Sequence, residues 1–155
     1  MPAPDVLRSI RGTVTQSGAN AYTETEINLA LSLESRFLFY VTGLQVFFES
    51  INQVDDDTIF TWHLSRATKS AVGGFSDSDI IWVGGFGVLT TTSGAAVWPP
   101  VMCRELAHPY AIANPSLYFG IDTVGAAVAC SASIQLQYYP EKVTQNKFWE
   151  AAQTR

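Results

Sequence analysis

FLFYVTGLQVFFES, the stretch from Phe37 to Ser50, is the most apolar run in the chain, and its interpretation decides the fold. Such a run is a membrane anchor, the centre of a core, or a surface that another protein covers. A helix of about fifteen residues rises about 22 Å, which is short of the roughly 30 Å hydrocarbon core of a bilayer. Thr42, Gly43 and Gln45 also interrupt the run. We therefore expect one long β-strand and not a membrane-spanning helix.

Both faces of this predicted strand are apolar, which is unusual for a sandwich whose outer surface is solvated. The even-numbered side chains are predicted to face the core: Leu38, Tyr40, Thr42, Leu44, Val46 and Phe48. The odd-numbered apolar side chains are then predicted to face outward: Phe37, Phe39, Val41 and Phe47. We expect a neighbouring subunit or the chain's own tail to cover this odd face. On this interpretation, Phe39→Asp impairs assembly more than folding.

The rest of the chain alternates polar and apolar residues with a period of two, which is typical of strands. Strands are predicted near residues 8–16, 21–31, 36–50, 57–66, 79–91, 97–107, 116–123 and 127–139. The middle connections are longer than hairpin turns, which favours crossings between two sheets. An immunoglobulin-like sandwich is the rival, but Trp62 and Trp82 both precede Cys103, so its Cys-Trp-Cys order is absent. The sequence predicts an all-β, eight-stranded, two-sheet jelly-roll sandwich, with residues 1–140 as a single domain.

Residues 141–155 differ from the rest in having a helical composition, EKVTQNKFWEAAQTR. Thr144 is a candidate N-cap of a short helix, on which Phe148, Trp149 and Ala152 are predicted to share one face. So short a helix is not stable alone. We therefore expect this tail to dock, either on the chain's own sheet or on a neighbouring subunit.

The chain is poor in charged residues. They make up 15% of its 155 residues, against about 25% in ordinary soluble domains. This deficit is expected of a surface that other copies of the chain cover. The net charge is −5, and the nine Lys and Arg residues are scattered, so direct nucleic-acid binding is not expected. The N-terminal residues lack an apolar stretch long enough for a signal peptide, which predicts a chain that is not secreted by that route.

The sequence contains little that indicates catalysis. His63 and His108 belong to no catalytic or metal-ligand motif. His63 alternates with the apolar face of its strand and is predicted to face solvent, and His108 is predicted to lie in a loop before Pro109. The glycines of VGGFGV (residues 83–88) lack the context of a phosphate loop and predict a bulge or close backbone approach in a sheet. We therefore expect no enzyme activity and no cofactor.

Two groups of residues remain as candidate sites. Carboxylates in turns could bind Ca²⁺, although aspartates at such positions are also ordinary turn formers; the candidates are Asp55, Asp57, Asp77 and Asp79. Trp98 precedes two prolines, which mark an edge, a bulge or a corner of a sheet, and its ring would contact sugar, a partner or the core. The candidates for contacts between subunits are Phe37, Phe39, Phe47, Trp98, Phe148 and Trp149.

Three segments together resemble a known family: RGTVTQSGANAYTETEINLAL, FTWHLSRATKS and NPSLYFGIDTVGAAVACSASIQLQYYPEKVT. With the long apolar strand between them, they are similar in layout to the small single-jelly-roll capsid proteins of icosahedral viruses, in particular those of prokaryotic and environmental viruses. The resemblance covers residues 8–143 and implies a virion shell subunit that is assembled in the host cytoplasm. Its partners would be many copies of itself and other virion proteins. The chain departs from the family in its first eleven residues, where only Arg8 and Arg11 stand in place of a basic arm.

Two other functions fit a jelly roll. A carbohydrate-binding or receptor-binding module would use exposed aromatic residues and polar loops. A small enzyme of the cupin type would need several His and carboxylate ligands that converge inside the barrel, which two histidines do not readily supply.

Overall fold

The computed structural model describes residues 7–29, 36–49, 57–88 and 102–153. In these residues the chain is all-β, with one short helix at the end, as predicted. The strands are β1 (Arg8–Thr15), β2 (Thr23–Asn28), β3 (Phe37–Glu49), β4 (Thr58–Ser65), β5 (Ile80–Val88), β6 (Met102–Ile112), β7 (Ser116–Val124) and β8 (Ser131–Lys142). The helix is α1 (Gln145–Gln153).

The strands form two antiparallel four-stranded sheets. The first sheet has the order β1-β8-β3-β6 and the second has the order β2-β7-β4-β5. Strands from the two halves of the chain therefore pair from the outside inward: β1 with β8, β2 with β7, β3 with β6 and β4 with β5. This is one long hairpin wrapped into two sheets, which is the jelly-roll arrangement. The predicted fold class is confirmed.

The core lies between the two sheets, and every strand contributes at least one buried apolar side chain to it. An aromatic group closes one end of this core. Phe60 stacks on Phe86 with ring centroids 4.8 Å apart, and Phe48 meets both rings edge-on. The buried thiol of Cys130 lies in the same cluster. The interior of the described sandwich is thus filled with apolar side chains.

β3 contains a bulge that changes which side chains face the core. Val41 pairs with Tyr138 of β8 and Gly43 pairs with Gln137, so Thr42 is an extra residue without a partner in β8. Before the bulge the odd-numbered residues face the core, and after it the even-numbered ones do. The predicted even-numbered core face is therefore right from residue 44 onward and wrong for residues 38 and 40.

β6 extends further along the chain than predicted. It continues to Ile112 and includes His108 and Pro109, which we had expected in a loop. The register with β3 passes from Tyr110 directly to Glu105, so Pro109 has no partner in β3 and its missing N–H interrupts no ladder there. Residues 97–101, where we predicted the start of this strand, lie outside the described residues.

The turns at one end of the sandwich are joined by the buried side chain of Gln16. Its amide Nε2 donates to the carbonyl oxygen of Ala21 at 2.8 Å, and its Oε1 accepts from the backbone N–H of Cys130 at 2.9 Å. The same Nε2 lies 3.1 Å from the hydroxyl of Thr123. One side chain thereby connects the turn after β1 to the turn before β8.

Helix α1 begins after Thr144, as predicted. The backbone N–H of Lys147 donates to the Thr144 hydroxyl at 3.4 Å, and that of Phe148 donates to the Thr144 carbonyl at 3.0 Å. β8 continues to Lys142. The division into a domain of residues 1–140 and a tail of residues 141–155 stays a prediction.

Candidate functional site

The apolar outer face of β3 is covered by the chain's own helix. Leu38 and Tyr40 project outward before the bulge, and both are buried in a cluster with Phe148 and Val143. The side chain of Phe148 is 3% exposed. The alternative in which the tail docks on its own sheet is therefore the observed one, and the covered residues are even-numbered instead of odd-numbered.

Two of the predicted subunit contacts are buried within the chain and are unavailable to a neighbour. Phe39 lies in the main core and stacks on Tyr138 with ring centroids 4.2 Å apart. Phe148 belongs to α1 and is buried against Leu38 and Tyr40 of β3. The prediction that Phe39→Asp impairs assembly more than folding loses its basis, because the bulge at Thr42 turns Phe39 toward the core.

The other predicted contacts remain accessible or lie outside the description. Phe37 is half-buried and shares the core-side face of β3 with Phe39, so the prediction that it faces outward is wrong. Phe47 is half-buried on the outer face, where the Arg11 guanidinium carbon lies 5.4 Å from its ring centroid. Trp149 is 53% exposed, so it does not share a buried face with Phe148; Ala151 does. Ala152 is exposed. Trp98 lies outside the described residues.

Sequence reasoning did not identify the exposed apolar side chains of the second sheet. Ile59 of β4 and Val124 of β7 are directly opposite each other in the antiparallel register, and both are more than half exposed. Phe75, between β4 and β5, is 79% exposed. Leu7 and Trp149 are also more than half exposed, so the described surface has several apolar side chains that are open to a partner.

The aspartate candidates do not converge. Asp57 directly precedes β4, whereas Asp79 directly precedes β5 and so lies beside the far end of β4. Eight residues of strand separate these ends by roughly 26 Å. Asp55 lies outside the described residues. The structure therefore groups only Asp77 and Asp79.

Lys69 binds both members of that pair. Its Nζ lies 2.8 Å from Asp77 Oδ2 and 2.9 Å from Asp79 Oδ2. The hydrogen bond from Lys69 holds the pKa of Asp77 below its usual range, and hydrogen bonds to the two carboxylates raise the pKa of Lys69. A cation at this pair would have to displace the ammonium group. The described residues hold no cluster of three or more metal-ligating side chains.

His63 is buried instead of solvent-facing. It projects from the outer face of the second sheet, as its odd number predicts, but its side chain is 0% exposed. Residues 66–79, which join β4 to β5 and are called the 66–79 segment below, contact it. The backbone N–H of Gly73 donates to His63 Nδ1 at 3.0 Å. The prediction was wrong because alternation along a strand does not reveal that a connecting segment covers its outer face.

Tyr22 and Glu24 complete this group, which we call the His63 cluster: Tyr22, Glu24, His63, Lys69 and Gly73. The Tyr22 hydroxyl lies 3.2 Å from His63 Nε2 and donates to Glu24 Oε2 at 2.8 Å. Glu24 Oε2 also accepts the backbone N–H of Lys69 at 3.1 Å. Burial raises the pKa of Tyr22 and lowers that of His63. No spacing in the sequence indicates this cluster.

A glycine on the neighbouring strand makes room for the cluster. Gly120 of β7 is the register partner of His63. A Cβ atom added at Gly120 would lie 2.6 Å from the Tyr22 hydroxyl and 2.8 Å from His63 Nε2. The VGGFGV glycines behave similarly, since a Cβ at Gly84 would lie 2.7 Å from the Trp62 ring. The predicted close backbone approach is confirmed there.

The outer face of the first sheet has a shallow polar pocket beside the bulge. Amide and charged side chains contribute to its lining: Gln45, Gln135, Gln137, Arg104 and Glu105. Arg11 donates to Gln135 Oε1 at 3.4 Å and also contacts Phe47. The pocket therefore lies near a half-buried aromatic ring.

The similarities of this chain to known proteins lie among solved structures. No model of a known protein family matches the chain, and no curated protein matches it. A solved structure of Desmodium yellow mottle tymovirus is similar over 94% of this chain and 94% of its own, with 12% sequence identity and a TM-score of 0.36. The fold assignment rests on the strand order of the chain itself. No helix in the part of the chain that the structure describes is long and apolar enough to cross a membrane.

Proposed function

We propose that this chain is a structural subunit of a virus shell, a single-jelly-roll capsid protein whose copies assemble into an icosahedral virion. The observation that carries the proposal is the wrapped two-sheet strand order around an interior filled with apolar side chains. Jelly rolls of this kind occur in virus shells, lectins and cupins. The fold alone does not choose among them, so the choice depends on the interior and the surface.

The interior argues against a cupin-type enzyme. Such an enzyme needs polar ligands that converge between the sheets, and the described interior positions carry apolar residues from all eight strands. His63 projects from the outer face instead. The proposal is therefore a protein without catalytic activity and without a required cofactor.

The surface favours contacts with other proteins. Assembly interfaces bury apolar area and need few charged groups at their centres. The chain has 15% charged residues, and Ile59, Val124 and Trp149 are apolar side chains more than half exposed. We propose these residues, together with Phe47 and Trp98 from the sequence, as the subunit contacts. The partners are then further copies of the chain and other virion proteins, in particles assembled in the host cytoplasm.

Light scattering after size-exclusion chromatography, with negative-stain images of the purified full chain, tests this proposal. We expect large particles of uniform size. A protein that stays monomeric at high concentration, across salt and divalent-cation conditions, would overturn it. Ile59→Asp and Trp149→Asp are expected to reduce particle formation while the unfolding temperature stays unchanged. Ser9→Asp, at an exposed position of β1, adds the same charge and is the matched control.

A carbohydrate-binding or receptor-binding module is the second candidate. The polar pocket beside the bulge favours it, because amide side chains near an aromatic ring are groups that bind sugar hydroxyls and stack on sugar rings. A glycan array with and without Ca²⁺ tests this function. Binding that Gln137→Ala abolishes would support it, and an array without signal in both conditions would remove it. Ca²⁺ binding at Asp77 and Asp79 is tested separately, by calorimetric titration of the unmodified chain and of Asp77→Asn with Ca²⁺.

A further inference from the structure

The hydrogen bonds of the His63 cluster have a fixed direction. A backbone N–H can only donate, so Nδ1 of His63 must accept the bond from Gly73. The ring proton then lies on Nε2, which donates to the Tyr22 hydroxyl, and that hydroxyl in turn donates to Glu24 Oε2. Each donor therefore meets an acceptor only while His63 is neutral, with its proton on Nε2.

Two of these bonds hold the 66–79 segment against the outer face of the second sheet. One joins Gly73 to the ring of His63, and the other joins the backbone of Lys69 to Glu24. The first depends on the protonation state of a group that titrates near physiological pH. A proton on Nδ1 would place two N–H groups against each other at a position without contact to solvent.

We infer that His63 is a pH-sensitive latch: the neutral ring holds the 66–79 segment in place, and protonation at Nδ1 releases it. The charged and titratable groups around the ring come from three elements. Tyr22 directly precedes β2 and Glu24 lies on β2, whereas Lys69 and Asp77 lie in the 66–79 segment. β7 contributes Asp122, which lies near Tyr22.

The balance of these groups favours the neutral ring at pH 7. Burial lowers the pKa of His63, and Lys69 acts in the same direction, while Glu24 and Asp77 oppose them. The open state binds a proton more tightly than the closed state when the pKa of the histidine is lower in the closed state. Lowering the pH below the open-state pKa therefore favours opening. The latch is therefore closed above about pH 6.5 and weakens below it. Its opening would free the loop that carries the exposed ring of Phe75.

NMR of the purified full chain tests this inference. The protonation of His63 is followed by its ring carbon shifts, and the opening of the segment by the hydrogen-exchange protection factor of the Gly73 amide. We expect this protection factor to fall by up to about tenfold per pH unit below about pH 6.5, and the fall to level off at the lower pH where the ring of the closed state becomes protonated. A protection factor that stays constant while His63 becomes protonated would overturn the latch.

Variants separate His63 from other acid-sensitive groups. In His63→Gln we expect the Gly73 protection factor to lose its pH dependence, whereas His108→Gln, at an exposed position of β6, is expected to retain it. A fall with the same midpoint in His63→Gln would also overturn the inference. If His63→Gln does not fold, the titration of the unmodified chain decides alone. The protection of the 66–79 segment is also measured by mass spectrometry of exchanged and digested protein, which applies to free subunits and to assembled particles alike.

Discussion

Phe39 and Phe47 lie on the same strand and both have odd numbers, yet their side chains project from opposite faces of the sheet. Phe39 stacks on Tyr138 inside the sandwich, whereas Phe47 lies beneath the guanidinium of Arg11 on the outside. The extra residue at Thr42 separates them. One residue therefore decides whether the first half of β3 supplies the core or the surface.

The two phenylalanines give a matched pair of substitutions. Phe39→Asp places a carboxylate in an apolar core, and we expect it to cost more than about 4 kcal/mol or to prevent folding. Phe47→Asp is expected to leave the fold intact, because its carboxylate can reach solvent and Arg11. Urea unfolding followed by circular dichroism measures both. Equal stability of the two variants would contradict the assignment of their faces.

Docking of α1 depends on a single aromatic side chain. Phe148 is buried against Leu38 and Tyr40, so Phe148→Ala is expected to lower the free energy of unfolding by about 3 kcal/mol. Trp149→Ala, on the exposed side of the same helix, is expected to change it by less than about 0.5 kcal/mol. Thermal unfolding of the two variants measures the difference. A larger loss for Trp149→Ala would mean that the helix packs through its other face.

Gly120 is expected to tolerate no side chain. Its added Cβ would displace the Tyr22 hydroxyl or the His63 ring, and we expect Gly120→Ala to cost about 1–3 kcal/mol. Gly74→Ala is the control, because no atom lies within 4 Å of an added Cβ there. We expect that change to be neutral or stabilising by up to about 1 kcal/mol. Chemical denaturation of both variants, with histidine NMR to detect a displaced His63, is the measurement.

The buried side-chain amide of Gln16 is expected to contribute more to the free energy of unfolding than the less buried amide of Gln135. Gln16→Ala leaves the backbone N–H of Cys130 without its acceptor, which costs about 1–3 kcal/mol for a buried group. Gln135→Ala removes only the long contact with Arg11 and is expected to change stability by less than about 0.5 kcal/mol. Comparable losses in the two variants would show that Gln16 does not join the turns.

Strand content could be predicted from the sequence because alternation is a local property. Each of the eight predicted strands overlaps an observed one, and Thr144 was identified as the helix cap from composition alone. The side-chain faces of β3 could not be assigned, because the extra residue Thr42 reverses which face each later residue occupies. The sequence on either side of it carries no sign of that reversal. The first half of β3 is apolar on both faces, so nothing in its pattern indicates where the parity changes.

The candidate site was less predictable than the fold. The burial of His63 depends on a segment ten residues away in the chain, held by the backbone N–H of Gly73. Almost every residue has a backbone N–H, so a hydrogen bond from one of them cannot be recognised as a sequence motif. The exposure of Ile59 and Val124 likewise depends on their register across two strands that are distant in the chain.

The central position of β8 in the first sheet has a consequence for the order of folding. Arg8–Thr15 can form its ladder only with Ser131–Tyr138, and β3 requires the same strand on its other side. During synthesis, β1 and β3 therefore remain unpaired with β8, the strand that lies between them, until most of the chain has been made. Closing such long loops is slow, in the range of milliseconds to seconds for all-β domains, and the unpaired edges are exposed during that time. We expect the pairing of β8 with β1 and β3 to be a slow step in folding. Nascent or truncated chains without β8 are then expected to be the most aggregation-prone forms.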